Sequence, residues 1–192
     1  LLVNEVVDAL RAAAVAGGCE ERESHIVERS FSWDDVTASL RNLSLFSTGK
    51  LVEIRLPTVT PGNEGSEAMR ELAGRQPDGN TVVIITPALN GKAASSAWAS
   101  ALANTGVWVE TRPPALAELP QWIGRRFRAA GLTCDAEGLD LLAARVEGNL
   151  LAAQQEIDKL ALLHPPGTVI DLDLIRALDE LAVRTPQPRQ LN

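Results

Sequence analysis

An α/β unit organised on a parallel sheet, followed by a small all-α unit, is the fold class this sequence predicts. Three observations carry it. Up to Pro113-Pro114, short β-branched or apolar runs alternate with segments of helical period, the pattern of strands joined by helical crossovers. The run Val82-Val83-Ile84-Ile85, between Thr81 and Thr86, is unbroken in its apolar character, as a parallel strand buried on both faces should be. From Leu119 onward only helical periods occur.

The elements follow in order. Val3, Val6, Val7, Leu10 and Ala14 recur at helical spacing over Leu1 to Ala16, and Gly17-Gly18 ends that helix. Ser24 to Glu28 is a short strand. Ser32 or Asp34 starts a second helix, with Trp33, Val36, Leu40 and Leu43 on its apolar side. Gly49 punctuates, and the β-rich run Leu51 to Leu56 is closed by Pro57. Residues 58–65 (TVTPGNEG) read as a loop, and Glu67 to Arg75 as a short helix around Met69 and Leu72. After the Thr81 to Thr86 strand, Gly91-Lys92 opens a helix through Trp98 and Leu102. Val107 to Thr111 is the next strand.

Prolines donate no backbone hydrogen bond and bias the preceding residue away from helix, so Pro113-Pro114 marks a border. Beyond it, one stripe is Leu119, Trp122, Ile123 and Phe127, and a second is Leu139, Leu142, Ala143 and Val146. A third runs through Leu150, Ala153, Ile157, Leu160 and Ala161, and Ile175 with Leu178 belong to a fourth. The organisation read from these patterns is an α/β domain over 1–114, a helical domain over 115–179, and a Pro/Gln/Arg-rich tail over 180–192 (ELAVRTPQPRQLN) whose composition is that of a disordered segment.

Composition narrows the function classes. The chain has 192 residues, 45% hydrophobic and 22% charged, as ordinary globular proteins do; aromatics are only 4%, which suits Ala- and Leu-rich helices with aliphatic strands better than an all-β sandwich. A net charge of −7 argues against a free-standing nucleic-acid binder, since phosphates are met by concentrated Lys and Arg. The local exception is Arg125, Arg126 and Arg128, which form either a solvated helix face or a DNA contact. Cys19 and Cys134 stand in no Cys-x-x-Cys pattern and read as reduced thiols of a cytoplasmic protein; with only His25 and His164 besides, no metal site is expected. No apolar run is long enough to span a membrane. Without an initial Met or a basic leader, the chain reads as a fragment.

Chemistry-bearing motifs are not found between Leu1 and Asn192, and a phosphate loop would lie upstream of the first helix, out of view. A nucleotide-hydrolysing α/β unit uses Gly-x-x-x-x-Gly-Lys-[Ser/Thr] to cradle phosphates and an acid at a strand end to hold Mg²⁺. Gly49-Lys50 is followed by Leu51 and Gly91-Lys92 by Ala93, and the Val82 to Ile85 strand ends in Thr86-Pro87. No Ser/His/Asp or Cys/His grouping is available for nucleophilic catalysis. No catalytic residue and no cofactor are expected. What remains is Leu45-Phe46, an extra bulky pair beyond a helix stripe that is already filled. The pair either turns inward to close the core or forms an exposed wedge kept for a partner.

Residues 147–163 (EGNLLAAQQEIDKLALL) form an amphipathic helix entered through a Gly-Asn turn. The wording closely resembles the lid domain of the delta-subunit family of bacterial DNA polymerase III clamp loaders, where Gly-Asn-Leu leads into Ala-Ala-x-x-Glu-Ile-x-Lys-Leu-Ala-Leu-Leu. Residues 64–72 (EGSEAMREL) and Ser96-Ala97-Trp98 are also similar to that family, and the resemblance runs from residue 1 to about 179. It implies an AAA+-like, P-loop-NTPase-related domain lacking its first strand, followed by the lid domain. It also implies that Ser44, Leu45 and Phe46 enter a hydrophobic pocket of the ring-shaped sliding clamp. The implied partners are that clamp (the beta subunit), the other loader subunits in the full-length protein, and primed DNA through the assembled complex. The implied place is within a DNA-directed DNA polymerase holoenzyme, a nucleotidyltransferase in which this chain itself catalyses nothing. Two alternatives stay open: an ATP-hydrolysing AAA+ subunit whose phosphate loop lies upstream, and a DNA-binding regulator using Arg125, Arg126 and Arg128.

Overall fold

A computed structural model of the chain describes residues 1–28, 30–41, 49–75 and 79–177. Two compact units emerge, one over Leu2–Thr111 and the other from Arg112 onward together with Leu1.

The first unit is α1 (Leu2–Ala16), β1 (Cys19–Ile26), α2 (Trp33–Arg41), β2 (Gly49–Arg55), α3 (Gly62–Gly74), β3 (Thr81–Ile85), α4 (Gly91–Ala94) and α5 (Ala97–Thr105). Its sheet has the order β1-β2-β3 and is parallel throughout, with Arg22 opposite Leu51 and Ile54 opposite Ile84. Alternation along β2 sends Val52 and Ile54 to one face, where they pack with Trp33 and Val36 of α2, Met69 of α3 and Trp98 of α5. The opposite face gathers Leu51, Cys19 and Ala14 of α1.

Four local expectations shift. The strand buried on both faces is β2, not β3: β3 is hydrogen-bonded along one edge alone among the described residues, and most of it is half-buried. β1 begins at Cys19 rather than Ser24, because its charged stretch Glu21-Arg22-Glu23 finds ionic partners within the unit and so can sit in a ladder. α3 begins at Gly62, inside the stretch read as a loop. Its glycine at position 65 has a packing role, since a Cβ there would lie 2.7 Å from both Trp33 and Pro61. On α1, Val7 and Ala14 are buried while Val3 and Leu10 are exposed; Arg11 takes the half-buried position beside them because it pairs with Glu53 of the sheet.

Val107 to Thr111 forms no strand. A strand is stable only when its backbone groups enter a ladder, and this segment pairs with neither outer edge of the β1-β2-β3 sheet. Val107 is 93% exposed, with Trp108 and Val109 also exposed. Cleavage by a dilute protease is therefore expected first between Val107 and Glu118, with peptide mapping as the check. An uncut segment there, with cuts elsewhere first, would show it held as firmly as the sheet.

The second unit contains a 3₁₀ turn (Leu116–Glu118), α6 (Leu119–Ala129), β4 (Thr133–Cys134), α7 (Ala136–Val146), α8 (Leu150–Leu163) and β5 (Val169–Ile170). Residues 172–177 are again helical. The expected stripes supply its buried residues: Leu119, Ile123 and Phe127, then Leu142, then Ile157 and Leu160. Asp135 caps α7 by accepting from the Gly138 amide at 2.7 Å, and Asn149 caps α8 by accepting from Ala152 at 3.1 Å. Between those helices Glu147 and Gly148 are both left-handed, with φ of 47° and 85°, which makes the Gly-Asn turn sharp. An all-helical unit was expected; the short parallel pairing of β4 with β5 departs from it. Leu132 and Ile170 are buried beside that pairing, and two residues per strand are too few to show in a periodicity.

Candidate functional site

Ser44, Leu45 and Phe46 fall in 42–48, outside the described residues, as does the 180–192 tail. What the structure does describe is the frame from which 42–48 leaves and to which it returns: the end of α2 and the start of β2.

That frame is cross-linked by polar side chains. The Asn80 carboxamide, just before β3, accepts from the Lys50 amide at 2.9 Å and donates to the Leu40 carbonyl at 3.3 Å. Lys50, at 7% exposure, sends its ammonium to Glu23 Oε1 of β1 at 2.6 Å and to Ser39 Oγ of α2 at 3.5 Å. The Ser39 hydroxyl also donates to Glu23. A lysine so enclosed would be costly without such partners. Gly49 sits against the same connection: a Cβ there would lie 2.0 Å from the Gly79 carbonyl oxygen, so any side chain would force the backbone apart.

On the opposite sheet face, Glu53, 2% exposed, receives both Nε (2.7 Å) and Nη2 (2.6 Å) of Arg11, and Arg22 Nε at 2.9 Å. The Arg11 hydrogen bonds hold the Glu53 carboxyl below the ordinary carboxylate range, and the Lys50 hydrogen bond, aided by Ser39, does the same for Glu23. Such carboxylates contribute stability that is present above the unfolded carboxylate pKa and is lost as pH falls through the lower folded values. Urea midpoints should therefore drop on acidification, and Glu53→Gln should flatten that drop. An acid profile identical to that of the parent chain would count against the pairing.

Arg126 lies 4.5 Å over the Trp122 ring and donates to Gln154 at 3.1 Å, so it is engaged inside the helical unit; Arg125 and Arg128 are exposed. His25 packs edge-on to Phe31 with its Nε2 buried. Cys134 is raised to about 11, first by burial and then by Asp135 and Asp171, which keeps it a neutral thiol. Among the described residues no group of three or more His, Cys, Asp or Glu could hold a metal.

A groove of about 620 Å³ opens at the C-terminal ends of β1 and β2, where α/β folds commonly take ligands. Phe31, Trp33, Pro57 and Pro61 line it together with Glu28 and Glu64, and among the described lining residues there is no Lys or Arg. Sequence reasoning had no signal for Asn80, because the residue stands among turn formers and its partners are set by the fold.

No family model matches the chain. It is 30% identical over 186 residues to DNA polymerase III subunit delta of Escherichia coli K12, covering 97% of this chain and 54% of that protein. It is 23% identical to the same subunit of Haemophilus influenzae, over 97% of this chain and 55% of that one. The chain spans about half the length of these relatives. In fold it matches the clamp loader delta protein of Bacillus subtilis, with a TM-score of 0.64 at 18% identity over 82% of this chain and 48% of that chain.

Proposed function

We propose that this chain, related in sequence and fold to the delta subunit of DNA polymerase III, binds the ring-shaped sliding clamp and helps to open it for loading onto primed DNA. The observation that carries this reading is 30% identity running through 97% of the chain. The AAA+-like unit (1–114) carries the contact, through Leu45-Phe46 with Ser44 before it, and the lid is 115–179. The chain hydrolyses no ATP itself. It works within the polymerase holoenzyme beside other loader subunits, which bind the nucleotide and whose movement exposes the wedge.

The energetics are adequate for an anchor. Burying a Leu and a Phe contributes about 1.5–3 kcal/mol each. If the pocket is better formed when the ring interface is open, that affinity difference shifts the ring toward opening. Titration of a bacterial sliding clamp with this chain tests the reading. A saturable complex is expected, and no complex at any attainable concentration would overturn it.

A further inference from the structure

The geometry points to the C-terminal end of α7 as a docking site for a long cationic side chain, arginine above all, presented by a partner protein. Leu116, Leu119, Ala143, Ala144 and Glu147 line a hollow of about 300 Å³ within the second unit. Four of these five are apolar; Leu119 is buried, whereas Leu116 is 71% exposed. Glu147 is the one charged residue among them, and it is exposed. Its carboxylate has no hydrogen-bond or ion-pair partner among the described residues. Two features make a glutamate locally unfavourable there. Its backbone is left-handed (φ 47°, ψ 37°), where a Cβ crowds the chain and glycine is the usual residue after a helix. Its charge also stands at the end of α7, where the last carbonyls already leave partial negative charge. The cation of that last turn, Arg145, donates instead to the Ile175 carbonyl at 3.1 Å.

Helix end and carboxylate thus add their negative potential at one corner of an otherwise apolar hollow, and that combination selects the occupant. Arginine and lysine are apolar along the methylene stem and cationic at the tip. The stem can lie on Leu116 and Leu119 while the tip meets Glu147. Arginine suits the corner better, because its guanidinium is the more weakly hydrated and donates in a fixed fork to a carboxylate. A purely apolar side chain would leave the carboxylate unmatched, and an acidic one would be repelled.

The test titrates the methyl-labelled chain with N-acetyl-arginine amide, N-acetyl-leucine amide and N-acetyl-glutamate amide, following the NMR shifts of the Leu116 and Leu119 methyls. The arginine probe should saturate about threefold more tightly than the leucine probe, the scale of one partly exposed ion pair. The glutamate probe should bind most weakly. Glu147→Gln keeps the left-handed backbone but loses the charge, so it should erase the preference for arginine. Glu147→Gly should erase it too and give the higher urea midpoint, because it relieves both local penalties. Asp140→Asn, which neutralises an exposed acid on the same helix, should behave as the parent does. An equal loss there would show only a general attraction of cations to a chain of net charge −7, and would overturn the inference. No saturable shift with the arginine probe, equal or tighter binding of either other probe, or an arginine preference that survives in Glu147→Gln would each overturn it. A midpoint in Glu147→Gly no higher than the parent's would give Glu147 a structural role and overturn it as well.

Discussion

Leu45→Ala combined with Phe46→Ala should abolish binding to the sliding clamp while leaving the fold intact. The two truncations remove most of the apolar surface the proposed wedge would bury, and a loss of about 3–6 kcal/mol corresponds to roughly a hundred- to ten-thousandfold in affinity. The fold should survive because the core on that side of the sheet is already built from Trp33, Val36, Met69 and Trp98, with Leu40 packed against it. Titration calorimetry with the clamp, paired with a urea melt, checks both halves. A double variant that unfolds would mark the pair as core residues. One that binds like the parent would place the contact elsewhere on the chain.

Phe127→Ala should cost about 3–5 kcal/mol, the usual range for emptying an aromatic site in a packed interior. Phe127 is the largest fully buried side chain of the chain's described core. It extends the Leu119, Ile123 row of α6. A whole domain is commonly stable by only about 5–15 kcal/mol, so the loss should be visible as a markedly earlier unfolding transition. Leu162→Ala is the internal comparison: at 87% exposure it should shift stability by no more than about 0.5 kcal/mol. Similar urea midpoints for the two variants would mean that the Phe127 site collapses around the truncation or is not packed.

In the second unit, where apolar residues recur over two or more helical turns, the sequence and the structure agree. α6, α7 and α8 lie where their stripes place them, and the Asp135 and Asn149 caps stand at their N-termini. The signal there is local: each helix makes its own hydrogen bonds, and its buried face is written at fixed spacing. The departures share an opposite cause. Val107 to Thr111 has strand-like residues but no ladder partner among the described strands, and strand formation needs one. α3 starts at Gly62, and its Gly65 packs against the face of Trp33, a contact no periodicity expresses. Arg11 displaces Leu10 from the covered side of α1 because Glu53 lies beneath it.

The sequence by itself thus determined the class of fold, the helices of the second unit and the family resemblance. Each of these is carried by residues close together in the chain. Tertiary structure alone decided which strand is central, which charges are buried in pairs, that Arg126 is committed to Trp122 and Gln154, and that Asn80 brackets the ends of α2 and β2. Those outcomes depend on groups brought together from as far apart as Arg11 and Glu53 or Leu40 and Asn80. The free energy of a buried charge or a shared amide is set by its neighbours in space, which a reading along the chain does not contain.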